Sequence, residues 1–156
     1  MSTQQNGRAS DPYGGFLFKV QISSGGSGGT VVGCSDVSGL VFEAEVETLK
    51  VGGLNTGDLQ LPGAAKVPAR LVLKRGLADR SYFWKWYLAV ADSRIERRTI
   101  TVSMMDAEGT VSEQVWSFKD ACPVKWTGPD LRASNSAVGF ETIELIHKGL
   151  QPQAAG

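Results

Sequence analysis

The chain offers few side chains that could do acid–base or nucleophilic chemistry. It has one histidine, His147, and two cysteines, Cys34 and Cys122, among 156 residues. A catalytic triad or a zinc tetrad needs several such groups brought together, and no Cys, His or Asp pattern surrounds His147. We therefore expect His147 to be structural, although a base or ligand role is the competing interpretation. The sequence predicts no bound metal and no cofactor.

Three carboxylates have a spacing that could do chemistry. Glu43, Glu45 and Glu47 alternate with apolar residues in FEAEVETLKV, so they share one face of an extended chain. Such a set could bind a cation or act in catalysis. The simpler interpretation is a solvated sheet face, in which the strand over residues 67–75 pairs with this one and sets Arg70 and Lys74 opposite the glutamates.

The two cysteines and the glycine run have plain structural interpretations. Cys34 and Cys122 are far apart in a chain whose polar N-terminus lacks a secretory signal, so we expect free, buried thiols. The run SGGSGGT, residues 24–30, lacks the spacing of a GxxxxGK[ST] phosphate loop and of a GxGxxG motif. It is typical of a turn between two strands.

Composition excludes several classes of protein. Sixteen basic and sixteen acidic residues cancel, which gives no electrostatic reason to expect nucleic acid or an anionic membrane as a partner. Hydrophobic residues make up 42% of the chain, which is ordinary for a globular protein and argues against wholesale disorder. No run of 18 apolar residues exists, so no membrane helix and no direct membrane insertion are expected.

The pattern of apolar residues predicts a mainly β fold: an antiparallel two-sheet sandwich or barrel with one flanking helix. We expect a flexible arm over residues 1–14, a single domain over 15–150 and a flexible tail over 151–156. Residues 52–63 are predicted to form a long loop. Strands are predicted over residues 16–22, 30–34, 42–51, 67–75, 97–105 and 110–118, followed by a closing strand from Val138, and a helix is predicted over Asp79–Ala91.

Two of these elements are apolar on more than one face. In the closing strand, Phe140 and Ile146 alternate with Ile143 and Leu145, so both faces carry bulky apolar groups. The helix is apolar around most of its circumference. Antiparallel strands of isolated domains usually have one solvated face, so the sequence predicts a missing partner.

Four tryptophans leave a binding function open. Trp84 and Trp86 fall on the predicted helix and Trp116 on a strand, where packing is the simpler interpretation. Trp126 precedes Thr127-Gly128-Pro129 and is the most exposable of the four. A monomeric β-sandwich that binds a ligand through Trp126 is therefore an alternative of another class.

Several segments together resemble a known family. DPYGGFLFKV, SDVSGL, LPG, LVLKRGL, a Trp-bearing helix, ERRTITVSMMDAEG and CPVKWTGPDLRASNSAVGFETIELIHKGL follow one another over residues 11–150. In this order they resemble the tail tube proteins of contractile phages and related contractile injection systems. LKRG and PVKWTGPDL are the most specific of these segments.

The resemblance implies a structural protein and not an enzyme. It implies six copies in a ring, whose inner sheets join into one β-barrel around a lumen, and rings that stack into a tube. A sheath protein and baseplate or spike proteins would be partners, and effector cargo or phage DNA would pass through the lumen. Assembly in the bacterial cytoplasm, in a phage tail or a phage tail-like particle that can be released, follows from the same resemblance. A tube-initiator ring that adapts baseplate to tube is the alternative within the family.

The resemblance also suggests site residues. In the family an extended loop contacts the adjoining ring, and the candidates here are Leu54, Asn55, Leu59, Leu61 and Pro62. The candidate lumen face comprises Glu43, Glu45, Glu47, Arg70 and Lys74.

Overall fold

A computed structural model of the chain describes residues 17–25, 28–50, 52–53, 57–77, 82–134 and 139–152. The predicted arm over 1–14 lies outside this part. Over the described part the chain forms ten strands and one helix: β1 (Phe18–Ser23), β2 (Thr30–Val32), β3 (Asp36–Ser38), β4 (Ala44–Leu49), β5 (Leu59–Ala65), β6 (Leu71–Gly76), α1 (Tyr82–Ala91), β7 (Arg98–Met105), β8 (Val111–Thr127), β9 (Phe140–Ile146) and β10 (Leu150–Pro152). The predicted fold class, mainly β with one helix, is confirmed.

Every described strand pair is antiparallel, and one strand connects the two halves of the fold. The main sheet has the order β2-β1-β7-β8-β9-β6-β3, with β10 also on β8, and β4 and β5 form a separate two-stranded sheet. The first half of β8 pairs with β7 and β10, and its second half pairs with β9. Strand β8 therefore forms main-chain hydrogen bonds with both halves of the main sheet and holds them together.

The halves fold over one core. Alternate residues of β1, β7 and β8 supply Val20, Ile22, Ile100, Val102 and Phe118, and β6 and β9 supply Leu71, Leu73, Ile143 and Leu145. Helix α1 adds Phe83 and Trp86 to the same cluster. The buried residues alternate along these strands with the period of two from which the strands were predicted, because burial of alternate apolar residues selects the register.

Strand β8 is longer than the sequence pattern predicted. It was expected to end at Phe118, but it continues to Thr127. Asp120 has a positive φ of 52° and the register against β9 shifts between Pro123 and Lys125. The irregularity accommodates a proline, which cannot donate a ladder hydrogen bond, without ending the strand. Strand β10 was likewise not predicted, and it places Gln151 and Pro152 against β8.

The hairpin that carries the glutamates has a different partner from the predicted one. Residues 59–65, predicted to belong mostly to a loop, form β5 and pair with β4, so that Leu61 lies opposite Glu47. Strand β6 pairs with β3 instead, and Lys74 lies opposite Asp36. The predicted pairing of Arg70 and Lys74 with the glutamates is therefore wrong. Among the described lysines and arginines, only Lys66 forms an ion pair with one of these three glutamates, at 3.5 Å from Glu43.

Helix α1 is buried on one side only. Phe83 and Trp86 are buried, whereas Trp84 and Leu88 remain about two-fifths exposed (39% and 41%). The indole N–H of Trp86 donates to the carbonyl of Glu96 at 3.0 Å, which fixes the helix to the segment that follows it. In the single chain, part of the apolar circumference of the helix is therefore left uncovered.

A buried ion pair joins the helix side of the core to the sheet. The guanidinium of Arg75 lies 3.1 Å from the carboxylate of Glu141, whose side chain is fully buried. The indole N–H of Trp126 donates to the same carboxylate at 3.1 Å, and the Arg75 guanidinium also lies 5.5 Å from the centre of the Phe83 ring. Strands β6, β8 and β9 and helix α1 thus meet at one charge-assisted cluster.

His147 links the end of β9 to the start of β10. Its Nδ1 accepts a hydrogen bond from the backbone N–H of Gly149 at 3.1 Å, so Nε2 carries the ring hydrogen and donates to the carbonyl of Ala69 at 3.2 Å. The ring packs edge-on against Phe118, with centres 4.9 Å apart. Burial lowers the pKa of His147, and the hydrogen bond to the Ala69 carbonyl partly offsets this. The structural interpretation of the single histidine fits these contacts.

Removing the buried carboxylate should destabilise the subunit strongly. Glu141→Ala leaves the Arg75 charge buried without its carboxylate, and we expect a loss of about 3–5 kcal/mol in the free energy of unfolding. The measurement is urea unfolding of the isolated chain. Glu144→Ala, which removes an ion pair with the exposed Lys125 (3.6 Å), is the matched control and should cost under about 1 kcal/mol. Equal losses in the two variants would contradict the role of the cluster.

Acid should weaken the subunit through His147. Because the pKa of His147 is lower in the folded chain than in the unfolded chain, the unfolded state binds more protons as pH falls through about 6.5. The stabilisation is present above that pH and is lost below it. Urea midpoints at pH 7.5 and 5.5 should fall more for the wild-type chain than for His147→Gln. A wild-type midpoint that rises towards pH 5.5 would contradict this.

Candidate assembly surfaces

The β4–β5 hairpin extends from the body and packs chiefly on itself. Every residue of β4 is exposed, and in β5 only Gly63 is half-buried. The hairpin continues the β3–β6 pair: the N–H of Lys66 donates to the carbonyl of Glu43 at 2.9 Å, between the two strand pairings. Two strands without a packed face are marginally stable in water, so this surface needs a partner.

One face of the hairpin combines apolar and acidic side chains. Leu49 lies opposite Leu59, and Glu47 opposite Leu61, and opposed residues of an antiparallel pair point to the same side. Leu49 and Leu59 are each 51% exposed and Leu61 is 41% exposed. A run of exposed leucines on a separate sheet is typical of an interaction surface and not of a solvated hairpin.

The predicted inter-ring residues divide between described and undescribed parts of the chain. Leu59, Leu61 and Pro62 lie on β5 and are exposed. Leu54 and Asn55 lie outside the described residues. Val46 and Leu49 on β4 were not among the candidates, although their exposure (63% and 51%) matches that of the β5 residues. The alternation in FEAEVETLKV could have identified them, had residues 59–65 been interpreted as its partner strand.

The predicted lumen residues do not form one paired surface in the single chain. Glu43, Glu45 and Glu47 are exposed on and next to β4, and Arg70 is exposed before β6. The ammonium of Lys74 lies 4.8 Å from the centre of the Phe140 ring, on the strand pair β6–β9. Their position relative to a lumen stays a prediction.

The remaining reactive groups, the two cysteine thiols, occupy structural positions. Burial raises the pKa of Cys34 to about 12. The charge of Arg75 lowers this pKa and the charge of Glu141 raises it, which are smaller effects than burial. The thiol therefore stays protonated at neutral pH. Cys34 and Cys122 are both free. Within the described ranges, no cluster of three or more His, Cys, Asp and Glu side chains could hold a metal ion. The same residues include no helix long and apolar enough to cross a membrane.

Trp126 is not an open binding platform. Its ring packs against Trp84, with ring centres 4.6 Å apart, and its N–H donates a hydrogen bond to the carboxylate of Glu141. The side chain is only partly exposed and joins the edge of the core. The ligand-binding alternative needs an accessible indole at Trp126, and the contacts of this side chain do not leave it accessible.

Comparison with solved structures shows the same fold in components of contractile injection systems. A chain of the 6-fold symmetrised anti-feeding prophage (AFP) baseplate matches with a TM-score of 0.80 and 23% identity, covering 91% of this chain and 95% of that one. A chain of the extended PVC sheath–tube complex, from an extracellular contractile injection system, matches with a TM-score of 0.78 and 21% identity (94% and 95% covered). A chain of the AFP tube terminating cap has a TM-score of 0.78 and 21% identity (99% and 100% covered).

Sequence comparison identifies the family. A search of curated proteins finds no significant match. The family model of the T4-like virus tail tube protein gp19, in contrast, matches residues 14–151, which is nearly the whole chain. The chain therefore belongs to the T4-like virus tail tube protein gp19 family and is a structural tube subunit.

Proposed function

We propose that six copies of the chain form a ring and that the rings stack into the inner tube of a contractile injection system or phage tail. The chain has no catalytic role in this proposal. Sheath and baseplate or spike proteins are its partners, and effector cargo or phage DNA passes through the lumen. Assembly takes place in the bacterial cytoplasm before any release of the particle.

The observation that carries the proposal is the exposed β4–β5 hairpin. Its leucines are about half exposed, so covering the rest of each by a neighbour would contribute roughly 0.7–1.5 kcal/mol per side chain. A soluble monomer would gain nothing from exposing them, and the hairpin lacks a partner within the described body. Contact with the adjoining ring, through Leu54, Asn55, Leu59, Leu61 and Pro62, accounts for both features.

Open strand edges support closure into a ring. The main sheet ends at β2 on one side and at β3 on the other, and Val31 on β2 is 57% exposed. Unpaired edges in a free subunit are templates for uncontrolled pairing, and closure of a ring removes them. Phe140 and Ile146, the exposed apolar residues of β9 (42% and 46%), would find cover in the same assembly.

A specific comparison favours a second candidate within the same assembly. One matching chain belongs to an AFP baseplate structure and another to a tube terminating cap. A ring that initiates the tube on the baseplate would use the same subunit fold. The two candidates differ in where the ring sits, and not in how the hairpin contacts its neighbour.

We propose in addition that Glu43, Glu45, Glu47, Arg70 and Lys74 contribute to the lumen. The support is their charge and their exposure, with Lys74 half-buried, in a chain of zero net charge. Charged walls keep a conduit hydrated and unlikely to bind apolar cargo tightly.

Charge on the leucine face should stop stacking. We expect Leu59→Glu with Leu61→Glu to leave a folded subunit that forms rings but, at equal concentration, at least tenfold fewer tubes. The two half-exposed leucines together would lose roughly 1.5 kcal/mol or more of contact energy, and that amount changes an equilibrium tenfold. Electron microscopy counts rings and tubes. Gln60→Glu, on the opposite hairpin face, is the control and should form tubes. Normal tubes from the double variant would show that the hairpin does not mediate stacking.

Charge reversal at Glu45 should alter the lumen and not the fold. Glu45→Lys should change the free energy of unfolding by less than about 0.5 kcal/mol, as expected for an exposed position. Assembled tubes of the variant should bind less of a cationic fluorescent peptide at low salt than wild-type tubes. A collapse of stability or of assembly would instead place Glu45 in a buried interface.

A further inference from the structure

A cavity of about 280 Å³ opens between the two halves of the main sheet, at the end where β1 begins. Phe18, Met104 and Trp116, from β1, β7 and β8, line one side of it. Val37 on β3 and Leu40 after it line the other side. Protein interiors contain few voids larger than a water molecule, so a cavity with these apolar walls is expected to have a cover.

Burial of the inward-facing residues decreases towards this cavity. On β1, Ile22 and Val20 are buried, whereas Phe18 is only half-buried. On β7, Val102 is buried, whereas Met104, which lies opposite Phe18, is half-buried. The pair Phe18 and Met104 therefore belongs to a part of the core that the described chain leaves incompletely covered.

The chain itself supplies candidates for the cover. The described residues begin at Leu17, whose carbonyl accepts a hydrogen bond from the N–H of Met105 at 3.0 Å. Residues 1–16 therefore connect to the fold at the mouth of the cavity. Among these residues only Tyr13 and Phe16 are aromatic.

Tyr13 is close enough in sequence to reach the cavity. It precedes Leu17 by four residues, so the two Cα atoms are at most about 14 Å apart. Gly14 and Gly15 lie between them, and glycine adopts the backbone angles of tight turns without steric cost. The chain can therefore turn back over the end of β1.

The lining suits a tyrosine in particular. Its apolar walls can pack against an aromatic ring, and Ser35 and Asp36 add a hydroxyl and a carboxylate. The Ser35 hydroxyl donates to the Asp36 carboxylate at 3.2 Å, and a carboxylate can accept further hydrogen bonds, such as one from a phenol. Phe16 has no polar group that could use them. The volume is below the roughly 300–1,000 Å³ of small-molecule sites, which favours a single side chain as the occupant.

We infer that Tyr13 of the same chain closes this cavity, with its ring against Phe18, Met104 and Trp116 and its hydroxyl at Asp36. The inference concerns the subunit and does not depend on the formation of rings. The arm that the sequence predicts over residues 1–14 is then anchored near its end. Because β3 is an edge strand of the main sheet, the anchor also supports an edge that the proposed ring would use.

Cross-linking tests whether Tyr13 reaches the cavity. In a chain whose two native cysteines are replaced by serine, a short bismaleimide should join Tyr13→Cys to Leu40→Cys, at the 39% exposed rim, within one chain. Val111→Cys is the matched control, because Val111 is 41% exposed and lies opposite Met105, near the start of the described chain but outside the cavity lining. An unanchored arm would reach both positions. Equal cross-linking at the two positions, or links only between chains, would overturn the inference.

Hydrogen exchange provides a test that keeps the native cysteines. In dilute solution, Tyr13→Ser should make the backbone amides of residues 36–40 exchange at least about fivefold faster, because an uncovered cavity lets this edge open more often. Tyr13→Phe, which keeps the ring, should stay closer to the wild type. Exchange in helix α1 should not change, which separates a local effect from general destabilisation. Unchanged exchange in Tyr13→Ser, or acceleration by Phe16→Ser alone, would overturn the assignment to Tyr13.

Discussion

The main-chain pairing of β8 is the constraint on which the rest of the fold depends. This 17-residue strand pairs with β7 and β10 along its first half and with β9 along its second. Loss of its continuity would separate the two halves of the sheet and open the shared core. The positive φ of Asp120 and the register shift after Pro123 allow the strand to change partners without ending. Because β8 continues to Thr127, Trp126 packs at the edge of the core.

The subunit divides into a body with a buried core and a hairpin without one. In the body, apolar side chains are buried and the carboxylate of Glu141 is held by Arg75 and Trp126. In the hairpin, Leu49, Leu59 and Leu61 are exposed. In the proposed assembly the hairpin and the strand edges would supply the contacts between subunits, while the stability of the subunit comes from the body. Changes in one region should therefore leave the other largely intact.

Residue patterns predicted the inward faces well and the connections less well. The buried Ile100, Val102, Leu71 and Leu73 fall at alternate positions of predicted strands, because alternation reports burial directly. Strand β5 was missed because Pro62 and Gly63 are typical of loops, although a proline is tolerated in an edge pair whose outer side is open. The glutamate register was therefore wrong as well. Exposure of Trp84 and Leu88 could not be predicted, since an exposed apolar residue on a helix looks identical in sequence to a core residue.

The mass of the purified chain in solution tests the central claim most directly. Native mass measurement should give a species of six chains, about 100 kDa for a 16.7 kDa subunit, together with larger multiples from stacked rings. A strictly monomeric protein at high concentration, even with sheath and baseplate proteins present, would contradict the account.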